Sequence, residues 1–262
     1  MKKHLIFTLC SVCMISYSAI AQNWAKNSAE FWGSEQGDFL GHAAAVSDDG
    51  TVVAFSATGF DGHDKNYGGV IRVYHGVDTS VVQKGSDIEP KGDNEGLGHD
   101  VALSADGNVV AVSAPVIGKG IVRVYEWKDG DWVQRGIDLE GENDKDAFGR
   151  SISLSNDGKI LAIGSPNLTS GSLTKVGRVN VFRWDDKQWV HHGSVLNGKA
   201  KNDLFGADVE LNANGDFLAV GVPQTVADDS GQVKVYEWKN NNWVLKHAPI
   251  PAINISTQFG GQ

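Results

Sequence analysis

Leu97-Gly98 … Leu103-Ser104-Ala105-Asp106-Gly107-Asn108-Val109-Val110-Ala111-Val112-Ser113-Ala114-Pro115 is a phrase that this chain repeats. Before it stands Leu40-Gly41 … Ser47-Asp48-Asp49-Gly50-Thr51-Val52-Val53-Ala54. After it come Phe148-Gly149 … Leu154-Ser155-Asn156-Asp157-Gly158 … Gly164-Ser165-Pro166 and Phe205-Gly206 … Leu211-Asn212-Ala213-Asn214-Gly215 … Gly221-Val222-Pro223. The four leading glycines are 57, 51 and 57 residues apart. Self-similarity at such a period marks a propeller or an array of stacked units, because one unit cannot bury its own faces and needs neighbours to do so.

Each phrase reads as β-structure. Asp106-Gly107 is a hairpin signal, since glycine accepts the positive φ of a tight turn. Val109 to Ala114 is almost continuously apolar and interleaved with Ala and Ser, as in a strand covered on both faces by closely approaching neighbours. A third strand is expected from Ile121 to Trp127, with counterparts at Val70 to Tyr74, Arg178 to Trp184 and Gln232 to Trp238. A polar tip follows, and in three copies the fourth strand opens on Trp, forming the pairs Trp127/Trp132, Trp184/Trp189 and Trp238/Trp243. That spacing sets two indoles opposite one another, a cross-strand clamp that contributes about 0.5–1.5 kcal/mol beyond area burial. An aromatic platform for sugars is the other reading, and it requires exposed rings. The first copy carries Gly76 and Val81 in these places and lacks the clamp. The predicted fold is all-β: a β-propeller of four complete four-stranded blades, at about 40–96, 97–147, 148–204 and 205–258, with an extra strand within 23–39.

Residues 1–21 read as a signal peptide: Lys2 and Lys3, an apolar run from Leu5 to Tyr17, and Ala19-Ile20-Ala21 before Gln22. Both cysteines, Cys10 and Cys13, lie inside it, so the exported chain has no thiol. A lipoprotein anchor competes with this reading, but Cys10-Ser11-Val12 before Cys13 is not a small-residue lipobox. Losing the two lysines takes the formal charge from −9 to −11. An acidic surface argues against nucleic acid, and no later apolar run approaches a membrane span. The expected location is secreted, extracellular or on the cell surface.

The phrases resemble FG-GAP-type repeats. Phe148-Gly149 with Gly164-Ser165-Pro166, Phe205-Gly206 with Gly221-Val222-Pro223, and the weaker Leu97-Gly98 with Ser113-Ala114-Pro115 carry the likeness, which is close to repeats of secreted bacterial proteins and more distant from the integrin α-subunit propeller. The resemblance implies an extracellular propeller used for adhesion or protein contact. Many members of the wider family hold calcium in a D-x-D-x-D-G loop, and here the pattern departs: counting back from Asp106, the earlier ligand places hold Ser104 and Ala102. Calcium asks for six to eight oxygens. Only Glu210, Asn212 and Asn214 come near, and Leu218 stands where a last carboxylate belongs. No metal site is therefore assigned and no cofactor is expected, with weak calcium binding left open at the acids preceding each Phe-Gly: Glu35 and Asp38, Asp93 and Glu95, Asp144 and Asp146, and Asp203. Solvated turn carboxylates are the ordinary account of that set.

No nucleophile elbow, HExxH or phosphate loop is present, and no pair of carboxylates stands out from the turns. His42 and His99 occupy equivalent places where the other copies have Arg150 and Ala207, which argues against a catalytic demand there. The connections between second and third strands differ in length between copies, the mark of a working rim. Phe60, Asp61, His63 and Tyr67 in the first, with Asp228 and Asp229 in the last, are the candidate binding residues. The expected function is thus a binding or adhesion module without catalysis, whose partner is a protein or glycan at the cell surface. A glycan-active propeller enzyme and a purely structural array are the alternatives. Trp24 to Gly41 aligns with Trp132 to Gly149, and Gln258 to Gln262 opens another copy, so the chain is expected to be part of a larger propeller, with a four-bladed ring the other reading.

Overall fold

The computed structural model describes residues 31, 33, 37–60, 68–77, 80–116, 118–223, 231–248 and 250–251. The expected leader, most of the extra strand and the closing copy therefore lie outside the described residues. Every regular element among the described residues is a strand. The first blade comprises β1 (Leu40–Val46), β2 (Val52–Ala57), β3 (Val70–Val77) and β4 (Ser80–Gln83). The second comprises β5 (Val101–Leu103), β6 (Val109–Ala114), β7 (Ile121–Lys128), β8 (Asp131–Gln134) and β9 (Leu139–Glu140). The third is built from β10 (Ile152–Leu154), β11 (Ile160–Ser165), β12 (Arg178–Trp184), β13 (Trp189–His191) and β14 (Leu196–Asn197). The fourth consists of β15 (Val209–Leu211), β16 (Phe217–Val222), β17 (Gln232–Lys239), β18 (Asn242–Leu245) and β19 (Ile250–Pro251). Each blade is an antiparallel meander in chain order.

The cores lie between blades. Val52, Ile71 and Val73 of the first meet Val110 and Val112 of the second. Val109, Val122 and Leu139 meet Phe148, Leu161 and Ile163, and Ile160, Val179 and Val181 meet Phe205, Leu218 and Val220. β6 and β11 are buried at every position, as strands packed on both faces must be. Each fully buried Val, Leu or Ile contributes about 1.5–3 kcal/mol.

Two short-range devices bring the blades close. Ser104 Oγ donates to Asp106 Oδ1 at 2.6 Å and accepts from Val109 N at 2.9 Å, so the turn saturates its own carboxylate. The same bonds recur at Ser47/Asp49 and Ser155/Asp157, while Asn212 replaces the serine in the fourth copy. These turns are also hydrogen-bonded to one another across blades, Asp48 N to Ala105 O, Ala105 N to Asn156 O and Asn156 N to Ala213 O. At the other end of the blades, Gly206 N donates to Gly221 O within its own blade, and a Cβ on Gly164 would collide with Gly206 O of the next. The Phe-Gly and Gly-x-Pro elements are thus places of backbone contact where a side chain has no room.

The Trp pairs stand directly opposite, with ring centroids 5.3, 5.5 and 5.4 Å apart. They also latch blades together. Trp132, Trp189 and Trp243 donate Nε1–H to the carbonyls of Lys84, Arg135 and His192 in the preceding blade. The Lys84 ammonium, the Arg135 guanidinium and the His192 ring cover the partner indoles. One side of each partner indole is therefore covered, which supports the clamp reading over the sugar platform.

The expected single fourth strand is instead two pieces, β8 and β9, both paired with β7. The chain leaves the ladder at Gly136, whose φ is +89° and whose absent Cβ would lie 3.1 Å from both Trp184 and Trp189. The next blade's clamp takes that space.

Candidate functional site

The innermost strands β1, β5, β10 and β15 line a cavity of about 380 Å³ along the axis of the stack. Each inner strand is an edge whose outward N–H groups need partners. Neighbouring blades supply them through side-chain oxygens. Asp100 Oδ2 accepts from Ile152 N at 2.8 Å, Ser151 Oγ from Val209 N at 3.2 Å and Ser153 Oγ from Leu211 N at 2.9 Å. Asp100, Ser151 and Asp208 hold one repeat position, Ser153 and Glu210 another two residues further along. Period two places both positions on one face of the strand, the face toward the cavity.

Three carboxylates, Asp100, Asp208 and Glu210, thereby line one polar space. Burial pushes Asp100 above its ordinary value; backbone N–H bonds from Ile152 and Val101 oppose this, and the charges of Asp208 and Glu210 add to it. Glu210 is likewise raised, by burial first and then by Asp208, against a hydrogen bond to Ser153. Raised carboxyl groups sharing a cavity can take up and release protons nearer neutral pH than exposed ones.

Beside Asp100, the residues following each leading glycine converge. The His42 and His99 rings lie 5.4 Å apart, edge to face, and Arg150 donates to His99 Nε2. Burial, Arg150 and His42 hold His99 down at about 4, so it is neutral at pH 7. The equivalence of His42 and His99 in the repeat, taken in the sequence as an argument against function, is what brings them into one cluster with Arg150.

Of the candidate binding residues, Phe60 is described: the Arg72 guanidinium lies 5.2 Å from its ring centroid. Asp61, His63, Tyr67, Asp228 and Asp229 lie outside the described residues. Of the acids expected as solvated turn groups before each Phe-Gly, Asp93 and Asp144 are exposed and Glu35 lies outside the described residues, but Asp38, Glu95, Asp146 and Asp203 are buried instead, each at most 7 % exposed. Glu95 Oε2 accepts from Lys91 N and Gly92 N, and Asp203 Oδ2 from Lys199 N and Ala200 N, so each ties down its own loop. Among the described residues, no group of three or more His, Cys, Asp or Glu is arranged to hold a metal ion, and no helix is long and apolar enough to cross a membrane.

The carboxylates of the cavity were not legible in the sequence. A signal existed in the inner-strand positions themselves, where Ala43, Asp100, Ser151 and Asp208 stand in register, but polar residues there vary from copy to copy and look like ordinary strand-edge substitutions.

No protein-family model and no curated protein sequence matches the chain. Solved structures do. A periplasmic gluconolactonase of Pseudomonas aeruginosa is similar with a TM-score of 0.55 at 15% identity, covering 82% of this chain and 58% of that one. A Bacteroides uniformis protein assigned as a 6-phosphogluconolactonase gives 0.54 at 15%, over 81% and 55%. A Sulfolobus tokodaii protein of the selenium-binding class gives 0.51 at 11%, over 77% and 53%. The chain spans a little over half the length of these proteins. They correct the expectation of an adhesion module without catalysis: the propellers matched include gluconolactonases, and the axis carries the converging carboxylates whose apparent absence supported that expectation. The resemblance to FG-GAP repeats rests on the quoted residues alone, and the fold that the solved structures show is the coarser one, a β-propeller.

Proposed function

We propose that the axial cavity binds and hydrolyses a small uncharged sugar lactone. The single observation that carries this reading is the convergence of Asp100, Asp208 and Glu210 on one polar cavity, with Asp100 and Glu210 held above their ordinary values. Two of the matched propellers are named for action on gluconolactones, which motivates the substrate class; the fold alone does not select it.

In the proposed reaction Glu210, the more open of the two raised groups, takes a proton from water as the oxygen attacks the lactone carbonyl. The ring C–O bond breaks as protonated Glu210 returns that proton to the leaving alkoxide, and the sugar acid so formed releases its own proton to solvent, leaving the anion. A negatively lined cavity admits the neutral lactone and repels the anionic product; it disfavours a phosphorylated substrate. Residues 1–21, which read as a leader in the sequence, support action outside the cytoplasm.

The test is titration of acid released from glucono-δ-lactone at constant pH, corrected for spontaneous hydrolysis. Glu210→Gln should lower the enzymatic rate by about 10²-fold or more. Rates equal to background, or an E210Q variant as active as the parent, would defeat the proposal.

A further inference from the structure

The fourth position of each second strand pairs with a third-strand residue that differs between blades: Arg72, Arg123, Asn180 and Lys234. In the second blade the buried Arg123 guanidinium bonds Glu95 and Asp138. In the fourth, the buried Lys234 ammonium lies 5.4 Å from the Phe205 ring centroid and feels the charge of Asp203. Both acids stand three residues before the leading glycine, where the third blade has Asp146, itself buried. The third blade therefore keeps the acid and the aromatic ring, Phe148, but has Asn180 where a cation belongs.

A cavity of about 80 Å³ is found at that place, lined by Asp146, Phe148, Asn180, Phe182, His191 and Glu140 among others. Asn180 is only 7 % exposed, yet its side chain makes no hydrogen bond among the described residues. Asp146 Oδ2 accepts from Asn143 N and Nδ2, and no hydrogen bond to its Oδ1 is present among the described residues. Arg178 at the edge is already engaged by Glu142 and by Asn197, 2.9 Å away, which leaves Asp146 and Glu140 as the uncompensated charges. Phe148 and the mutually stacked pair Phe182 and His191, with centroids 4.7 Å apart, also line the cavity, and aromatic rings attract a cation.

We propose that this cavity is a binding seat for a guanidinium group, free or on a peptide side chain, which takes the place that Arg123 fills in the second blade. It is independent of the lactone reading, since the seat lies between the second and third blades away from the axial cavity. Asp146 accepts from the guanidinium, Asn180 donates or accepts at its rim, and the aromatic rings that line the cavity attract it.

The probe is ethylguanidinium, with ethylurea as its uncharged isostere, followed by ¹H–¹⁵N NMR of the full chain. Saturable shifts of the Asn180 side-chain amide with ethylguanidinium, and none with ethylurea, are expected. Asp146→Asn should weaken binding about tenfold or more while the β-sheet circular dichroism is retained. Asn180→Arg should place the missing cation internally, raising Tm and abolishing binding. The absence of saturable shifts, equal binding of ethylurea, unchanged affinity in D146N, or a fall in Tm in N180R would each overturn the proposal.

Discussion

Arg123→Met removes the one cation of a buried triad, and the structure sets how much that should cost. Arg123 is 2% exposed and Glu95 8% by side chain, and Nε is 2.9 Å from Asp138 Oδ2. Methionine fills the stem's volume but leaves Glu95 without a counter-charge. Removing one partner of a buried pair costs about 3–5 kcal/mol. Here the lower part of that range is expected, because Glu95 keeps backbone bonds from Lys91 and Gly92, while Asp138 keeps Lys91 Nζ at 2.7 Å and Gln134 Nε2 at 2.8 Å. For a domain of this size each kcal/mol lowers Tm by roughly 2–4 °C, so a fall of about 6–12 °C follows. Adding Glu95→Gln to Arg123→Met should restore part of it, since the orphaned charge disappears. The comparison is Arg72→Met, whose ion pair with Asp87 is 21% and 25% exposed and worth about 1 kcal/mol or less. Thermal unfolding followed by tryptophan fluorescence, at low and high salt, measures all four proteins. Equal losses for R123M and R72M would refute the argument that burial makes the second-blade triad matter.

Trp189→Phe should cost about 1 kcal/mol by losing the Nε1–H bond to Arg135 O, and Trp189→Ala about 3–5 kcal/mol by emptying the space between the second and third blades; urea unfolding distinguishes the two, and equal costs would deny the latch its cavity-filling part. Gly206→Ala should destabilise the junction of the third and fourth blades, because φ is +84° and the new Cβ would lie 2.7 Å from Arg178 O; unfolding midpoints report it. Asp100 is held above 3.8 in the folded chain, so the folded state binds its proton more tightly than the unfolded one, and its contribution favours folding at low pH and declines as pH rises from 3.8 through the raised value. Asp100→Asn should therefore flatten that decline and gain stability relative to the parent at pH 7, as urea titrations from pH 4 to 7 would show.

What the repeat could disclose is what neighbouring residues decide. The Ser-x-Asp-Gly turns, the doubly covered second strand and the opposed Trp pairs all follow from spacings within one copy, and the observed registers agree with them. Splitting of the fourth strand needed knowledge of the next blade, since Trp184 and Trp189 occupy the space beside Gly136.

Sequence by itself determined the repeated unit of the four blades seen among the described residues, the order of strands in each, and the residues that hide between blades, because hairpins and faces obey short periods. Only the tertiary structure decided that Asp100, Asp208 and Glu210 share a cavity, that His42, His99 and Arg150 meet, and that Asn180 and Asp146 line another cavity between blades. The physical reason is distance along the chain: groups from different copies converge through the angle at which one sheet packs on the next, and no spacing inside a copy encodes that angle.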